Sequence, residues 1–418
     1  MKKDINSKIN LFRNLLVTIV LISLFQACDL FNNDDEDNQV DKYLLSFEKT
    51  KSYQPEFIKS ILTPLEDKYP ELATINQKIE YSVTVYKISY VTSFDGNDVT
   101  ASGLVCVPST VNSIPVLSFQ NGTNTLHSNA PSVNPDYETY LLLEFVSSTG
   151  FIITIPDYLG FGDSDNMFHP YLDYESTVQS IIDMQRAVKE MVNDYLDVKL
   201  NNDYYITGYS QGGWSTLQLQ KAIEKNYSSE FNLKASACCA GPYDLNYFND
   251  YVMDLNEYPM PYFLGYIFNS YYNLGGISTP VEEVFKSPYD TKILTLYDGT
   301  KSGGEINNEL TTVISQLFTD DFINNYNTDP KFASIKEMLA KNSIEAWKAT
   351  TPTLLIHGTD DDLVPSLGSN KMFQEFLNAG VEADKIKLIL IPGATHQTGA
   401  IPSGITAINW FLNIRDEE

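Results

Sequence analysis

From Pro115 to the C-terminus, short apolar runs alternate with longer segments in which apolar residues recur every three or four positions. The runs are Val116–Phe119, Phe151–Ile155, Tyr204–Thr207, Ala235–Cys239, Thr353–Ile356 and Ile386–Ile391. Near-continuous apolar stretches of this length are how strands covered on both faces read. Between two of them, Val178, Ile181, Ile182, Val188, Val192 and Tyr195 are spaced to form one apolar helix face. Strands separated by helices predict an α/β chain: a mostly parallel central sheet with helices on both faces. Ahead of this region, residues 79–92 and 99–107 are β-rich and joined by Asp95-Gly96-Asn97, which predicts an antiparallel hairpin at one edge of the sheet. The rhythm breaks between Gly241-Pro242 and Thr351-Pro352, a long segment rich in Tyr and Phe with no strong strand. It reads as a largely helical insertion, a cap on the sheet's C-terminal edge.

The N-terminus has a different pattern. Lys2, Lys3, Lys8 and Arg13 stand against Asp4, and the apolar run Leu15–Phe25 leads to Gln26-Ala27-Cys28. That run is shorter than the roughly 20 residues needed to cross a hydrocarbon core as a helix. A basic segment, a short apolar one and a small residue before a cut describe an export signal over residues 1–27. The cysteine directly after Ala27 makes it resemble a bacterial lipoprotein signal, in which Cys28 would become N-terminal and lipidated. The alternative is an ordinary cleaved signal with an incidental Cys28. Residues 28–42 are acidic and polar, which suits a hydrated tether. The expected organisation is therefore signal 1–27, tether 28–42, core 43–241, cap 242–350 and the rest of the core 351–418. The expected location is outside the cytoplasm, either lipid-anchored at the surface of a Gram-negative bacterium or secreted.

Composition narrows the function classes. The 418 residues carry 28 Lys and Arg against 54 Asp and Glu, a net charge of −26, with no basic stripe. Nucleic-acid binding rests on neutralising phosphates, so that class is excluded, and contact with a membrane is expected through the lipid anchor alone. Beyond Cys28, only Cys106, Cys238 and Cys239 remain. They make neither a disulfide framework nor a metal-ligand spacing and read as small buried apolar residues. No metal or cofactor is expected.

The stretch richest in chemistry is Asp203-Tyr204-Tyr205-Ile206-Thr207-Gly208-Tyr209-Ser210-Gln211-Gly212-Gly213. An apolar strand runs into Gly-x-Ser-x-Gly, followed by a helix expected to begin near Trp214. A serine hydroxyl is a poor nucleophile unless presented tightly to a base, and a sharp strand-to-helix turn does this, with Gly208 and Gly212 leaving room for the backbones to cross. The base is expected on a loop at the C-terminal end of a strand. His396, in Pro392-Gly393-Ala394-Thr395-His396 after the strand Ile386–Ile391, holds that position. His357 ends a strand and is expected to pack or to orient the acid loop, while His127 and His169 lie in loops that could overhang the site. The acid that orients the base should follow the penultimate strand, where Asp360, Asp361 and Asp362 are adjacent.

The order and spacing of these pieces resemble the α/β-hydrolase fold over residues 79 to 414. The family's His-Gly-x-x-Asp-x-x-Val-Pro pattern, laid on His357 to Pro365, implies Asp361 as the acid. Pro156-Asp157-Tyr158-Leu159-Gly160-Phe161-Gly162-Asp163-Ser164 is similar to the structural turn after the family's fourth strand. The resemblance also implies an oxyanion hole from the backbone N–H groups of Gln211 and of the Phe119–Asn124 loop, at Thr123. Where members commonly have His-Gly, this chain has Asn121-Gly122, and Asn121 could serve as an amide hydrogen-bonder. Asn-Gly-Thr, the Pro-Asp-Tyr turn followed by His169-Pro170-Tyr171, and the large cap together resemble secreted bacterial and fungal lipase/esterases.

What this implies is hydrolysis of a small-molecule, lipid or glycan ester by Ser210, His396 and Asp361. Eleven cap aromatics (Tyr243, Tyr247, Phe248, Tyr251, Tyr258, Tyr262, Phe263, Tyr266, Phe268, Tyr271 and Tyr272) could wall an acyl group or a sugar face, or could simply bury the cap. Two other readings stay open. One is a prolyl-oligopeptidase-like peptidase, although residues 29–78 are too few for the propeller such enzymes carry. The other is a non-catalytic, glycan-binding surface lipoprotein.

Overall fold

The computed structural model describes residues 42–110 and 112–417. The expected signal segment, Cys28 and the tether up to residue 41 lie outside them. Nine strands form one sheet: β1 (Leu44–Tyr53), β2 (Val83–Phe94), β3 (Asn97–Pro108), β4 (Ser113–Gln120), β5 (Ile152–Pro156), β6 (Lys199–Tyr209), β7 (Asn232–Cys239), β8 (Thr353–Gly358) and β9 (Ile386–Ile391). Their order is β1-β2-β3-β5-β4-β6-β7-β8-β9. The pairs among β1, β2, β3 and β5 are antiparallel, and every later pair is parallel.

The expected hairpin is β2–β3, closed by Asp95 (φ 48°) and Gly96 (φ 73°). Two left-handed residues match the right-handed strand twist, the usual reason for a short acidic-Gly turn. The hairpin is not the outermost element: β1 pairs outside it, from Leu44↔Tyr90 to Tyr53↔Val83.

Among the described residues, the helices of eight residues or more are α1 (Pro55–Leu62), α2 (Glu138–Val146), α3 (Tyr174–Tyr195), α4 (Gln211–Ala222), α5 (Leu245–Met253), α6 (Tyr262–Asn273), α7 (Ala333–Asn342), α8 (Ser366–Asn378) and α9 (Ala400–Glu417). Along each central strand, side chains alternate between two cores. Tyr205, Ala237, Leu354 and Ile356 meet Phe145 and Phe411 of α2 and α9. Tyr204 and Ile206 meet Ile181 and Met184 of α3, and Leu355 meets Trp214 and Met372 of α4 and α8. The α3 face is the one its spacing predicts, except that Tyr195 at its end is exposed. Asp173 caps α3 by accepting from Ser176 N.

The segment between β7 and β8 is helical, carrying α5, α6 and α7 with shorter turns. Its apolar residues merge with those of α4 and α8 into one cluster. Of the eleven aromatics singled out in the sequence, six (Tyr243, Phe248, Tyr258, Tyr266, Phe268 and Tyr271) are buried and help build that cluster. The cysteines Cys106, Cys238 and Cys239 are buried free thiols, and burial pushes Cys239 up to about 12. Among the described residues, no helix is long and apolar enough to cross a membrane.

Candidate active site

Parallel strands deliver their C-terminal ends to one edge of the sheet, and the segments after three of those ends carry Ser210, Asp361 and His396. β6 ends at Tyr209, and Ser210 follows with φ 60° and ψ −120°, a conformation that costs roughly 1–3 kcal/mol for a residue with a Cβ. Backbone bonds hold it there: Ser210 N donates to Cys239 O (2.9 Å) and Trp214 N to Ser210 O (3.1 Å). The flanking glycines are needed for close approach. A Cβ on Gly208 would lie 2.5 Å from Gly212 O, and one on Gly212 would lie 2.0 Å from Gln120 O. The helix α4 starts at Gln211, three residues earlier than its sequence suggests, so the turn leads directly into the helix N-terminus.

Ser210 makes no capping bond to α4. Its Oγ instead donates to Nε2 of His396, at 2.9 Å. His396 Nδ1 donates to Oδ2 of Asp361 at 2.7 Å. Ser210, His396 and Asp361 are 9%, 7% and 8% exposed, so water competes little for these bonds. Of the three adjacent aspartates, Asp361 is the one turned inward; Asp360 and Asp362 are exposed. Its Oδ1 accepts from Leu363 N (3.0 Å) and Val364 N (2.8 Å), and Oδ2 also meets His357 Nε2 at 3.1 Å. Burial alone would raise this carboxyl. The bonds from His357, His396 and Val364 N outweigh it and hold the group well below the usual carboxylate range.

His357 does what its strand-end position suggests. Its Nδ1 accepts from Ser369 Oγ at 2.6 Å, which leaves the proton on Nε2, shared between Val364 O (2.9 Å) and Asp361. The acid loop is thereby fixed from behind.

The other side of the site is the loop after β4. Gln120 pairs with Gly208, and Asn121-Gly122 runs beside the turn carrying Ser210, with Thr123 next in the chain. Asn121 Nδ2 donates to Pro156 O at 2.6 Å, tying this loop to the end of β5. Thr123 Oγ1 lies 2.7 Å from Tyr171 OH. The N–H of Gln211, at the first position of α4, has no intrahelical acceptor and is free to face an anion. The turn after β5 is structural as expected: Asp157 is buried and accepts from Ser102 Oγ, Ser132 Oγ and Ser132 N.

Residues 125–415 match the secretory lipase family. The chain belongs to that family. It is accordingly a lipase- or esterase-like hydrolase with the α/β-hydrolase fold. A candidate hydrolase of Legionella pneumophila is similar to it, with 28% identity over 90% of this chain and 99% of that one and a TM-score of 0.80. The rice cell wall degrading esterase LipA from Xanthomonas oryzae is 24% identical over 90% and 98%, with a TM-score of 0.75. Candida antarctica lipase A in its closed state is 15% identical over 88% and 83%, with a TM-score of 0.63. The last two likenesses concern the fold alone. No curated protein matches the chain.

Two features of this secretory lipase site have little signal in the sequence. Tyr209 OH donates to His396 O at 2.6 Å, so the residue before the serine holds the histidine loop. The Gln211 side chain reaches His169, with 3.1 Å between Gln211 Nε2 and His169 Nε2. Spacing could not have found either, because both are contacts between residues distant in the chain. His127 stays outside this network, its ring edge-on to Phe161.

Proposed function

We propose that the protein is a serine hydrolase of carboxylic esters acting outside the cytoplasm. Ser210 Oγ attacks the ester carbonyl while His396 Nε2 takes its proton. Asp361 keeps His396 protonated at Nδ1 and balances the imidazolium that forms. The tetrahedral oxyanion faces the backbone N–H groups of Gln211 and Thr123. His396 returns the proton to the leaving alcohol, giving an acyl-Ser210; water activated by the same imidazole then releases the acid.

The observation that carries this reading is the continuous relay from Ser210 Oγ to His396 (2.9 Å) and from His396 to Asp361 (2.7 Å), assembled from three strand ends. Membership of a secretory family supports export. In this reading residues 1–27 are the signal, Cys28 carries the lipid, the acidic tether spaces the enzyme from the membrane, and residues 242–350 cap a core formed by 43–241 and 351–418. The substrate is a small-molecule, lipid or glycan ester.

The test is turnover of p-nitrophenyl esters, with fluorophosphonate labelling, by the exported protein and by Ser210→Ala. The variant should lose label and at least about 10⁴-fold in kcat. Equal turnover by the two proteins would overturn the proposal.

A further inference from the structure

The segment His169-Pro170-Tyr171 plays no part in the proton relay, yet its two polar tips end on the two residues assigned to the oxyanion hole. His169 reaches the Gln211 side chain across 42 residues of sequence, and Tyr171 reaches the Thr123 side chain across 48. We propose that His169 and Tyr171 are positioning residues, His169 holding the Gln211 arm of the oxyanion hole and Tyr171 the Thr123 arm. The inference rests on the serine-hydrolase reading and deepens it.

The hydrogen bonds have a defined direction on the His169 side. Nδ1 lies 2.7 Å from Leu159 O, an acceptor, so the ring proton sits on Nδ1 and Nε2 offers a lone pair to the Gln211 amide. Burial pushes His169 down to about 4, which keeps that lone pair available at neutral pH. The other end of the Gln211 amide, Oε1, is buried without a partner. Among the described residues, His169 is therefore the polar tether of this side chain.

The Tyr171 arm is stiffened by stacking. Its ring lies 4.4 Å from Tyr266 at an interplanar angle of 8°, and Tyr266 lies 4.6 Å from Tyr297 at 11°. Tyr297 OH donates to Tyr262 O at 2.7 Å, which anchors the stack in the cap. The backbone between the two tips is fixed as well. Tyr171 N donates to His169 O and Asp173 N to Pro170 O, while Gly160 packs so closely that a Cβ there would sit 2.5 Å from His169 Cα. A buried aromatic segment needs partners for its polar atoms in any case. What packing alone leaves unexplained is that both partners are the residues assigned to the oxyanion hole.

The experiment uses the full exported chain carrying Tyr171→Phe, His169→Phe, His169→Gln, the Phe–Phe double change, and Thr123→Val. The last removes the partner of Tyr171 while keeping the Thr123 backbone N–H, and it stands in for any Phe variant that does not fold. The readouts are kcat and KM for a p-nitrophenyl ester, and the Ki of an aryl trifluoromethyl ketone, whose hemiketal oxygen occupies the oxyanion position. Losing an oxyanion donor outright costs about 10²–10³ in kcat, so misplacing one should cost about tenfold in each Phe variant and more in the pair. KM should stay within about twofold while the ketone Ki rises by the factor that kcat falls. His169→Gln, which restores an acceptor near the Nε2 position, should recover most of the loss. Unchanged kcat, a fall in kcat with no change in ketone Ki, or a Gln variant no better than Phe would overturn the inference. Ser210→Ala run alongside separates the cases: if it retains turnover, the serine reading itself falls.

Discussion

Replacing Asp361 with asparagine changes one atom and should remove most of the activity, for a reason that follows from the contacts of each oxygen. Oδ1 accepts from two backbone N–H groups, of Leu363 and Val364. The introduced amide is constrained by this, since turning its NH₂ toward those donors would set donor against donor; its carbonyl must occupy the Oδ1 position. The NH₂ then takes the Oδ2 position, facing His396 Nδ1 and His357 Nε2, both donors in the native arrangement. His396 can relieve the conflict by moving its proton to Nε2. There it points at Ser210 Oγ as a donor, and the general base is gone. Loss of the correct tautomer is expected to cost about 10⁴-fold in kcat, or about 5 kcal/mol of transition-state stabilisation. Asp360→Asn and Asp362→Asn alter exposed side chains and should stay within about twofold of the parent. The assay is p-nitrophenyl ester turnover at saturation, with circular dichroism to establish that each variant is folded. A folded Asp361→Asn protein within tenfold of the parent, or greater damage from either neighbour, would refute the reasoning.

Gly212→Ala should fail at the level of packing. Its Cβ would lie 2.0 Å from Gln120 O, a backbone atom that cannot swing aside, so destabilisation should reach the upper end of the roughly 1–3 kcal/mol seen for overpacking, read as a lower urea midpoint. Two buried groups should give opposite pH dependences of stability. Burial raises Glu144 to about 7 despite Lys51 at 3.0 Å, so the folded chain binds the extra proton between its ordinary 4.5 and 7; this stabilisation is complete below 4.5 and is lost as pH rises through 7. Burial lowers His169 from 6.5 to about 4, so in that window the unfolded chain binds the extra proton; stability is complete above 6.5 and is lost as pH falls toward 4. Each is worth at most roughly 3 kcal/mol. Urea unfolding from pH 4 to 7.5 should show Glu144→Gln losing the part of stability that falls as pH rises and His169→Gln losing the part that grows as pH rises, whereas curves parallel to the parent would contradict both assignments.

The parts of the architecture that were legible in the sequence are those whose physics is local or periodic. The strands β4 to β8 announce themselves because both faces are covered over much of their length, and their residues there are apolar in nearly continuous runs, broken only by small hydroxyl residues such as Ser118, Thr154 and Ser236. β1 does not, because it is an edge strand with mostly exposed side chains, and Leu-Leu-Ser-Phe-Glu-Lys-Thr-Lys-Ser-Tyr has no clear alternation. The helix α4 is legible from the turn that precedes it and not from any apolar stripe of its own. It is buried on every side, yet Gln211, Ser215, Thr216, Gln218 and Gln220 break any apolar stripe. Partners from outside the helix satisfy several of these groups: Thr216 Oγ1 donates to Gln120 Oε1 at 2.8 Å, and Gln220 Nε2 to Thr353 Oγ1 at 2.7 Å. In the candidate site, Ser210 and His396 are marked by turn chemistry and strand ends. The choice among three adjacent aspartates is made by the turn at Leu363 and Val364, which presents two N–H groups to one oxygen, and residue type alone carries no trace of it.

The same contacts give the insertion between β7 and β8 a second role. The helix α4, which carries the serine turn at its start, is held between the sheet and the insertion. Trp214 Nε1 and Gln218 Nε2 both donate to Asn342 O, at the end of α7. Asn342 Oδ1 in turn accepts from Tyr174 N, at the start of α3. One residue of the insertion therefore joins the helix behind the proposed nucleophile to its neighbour on the sheet. Polar bonds buried this deeply are costly to break without replacement. This end of the insertion is thus part of the scaffold that sustains the strained Ser210 backbone. In the proposed hydrolase, an insertion fixed there shapes the approach to Ser210 through its other aromatic contacts, such as the Tyr171–Tyr266–Tyr297 stack, without releasing the turn that carries the serine.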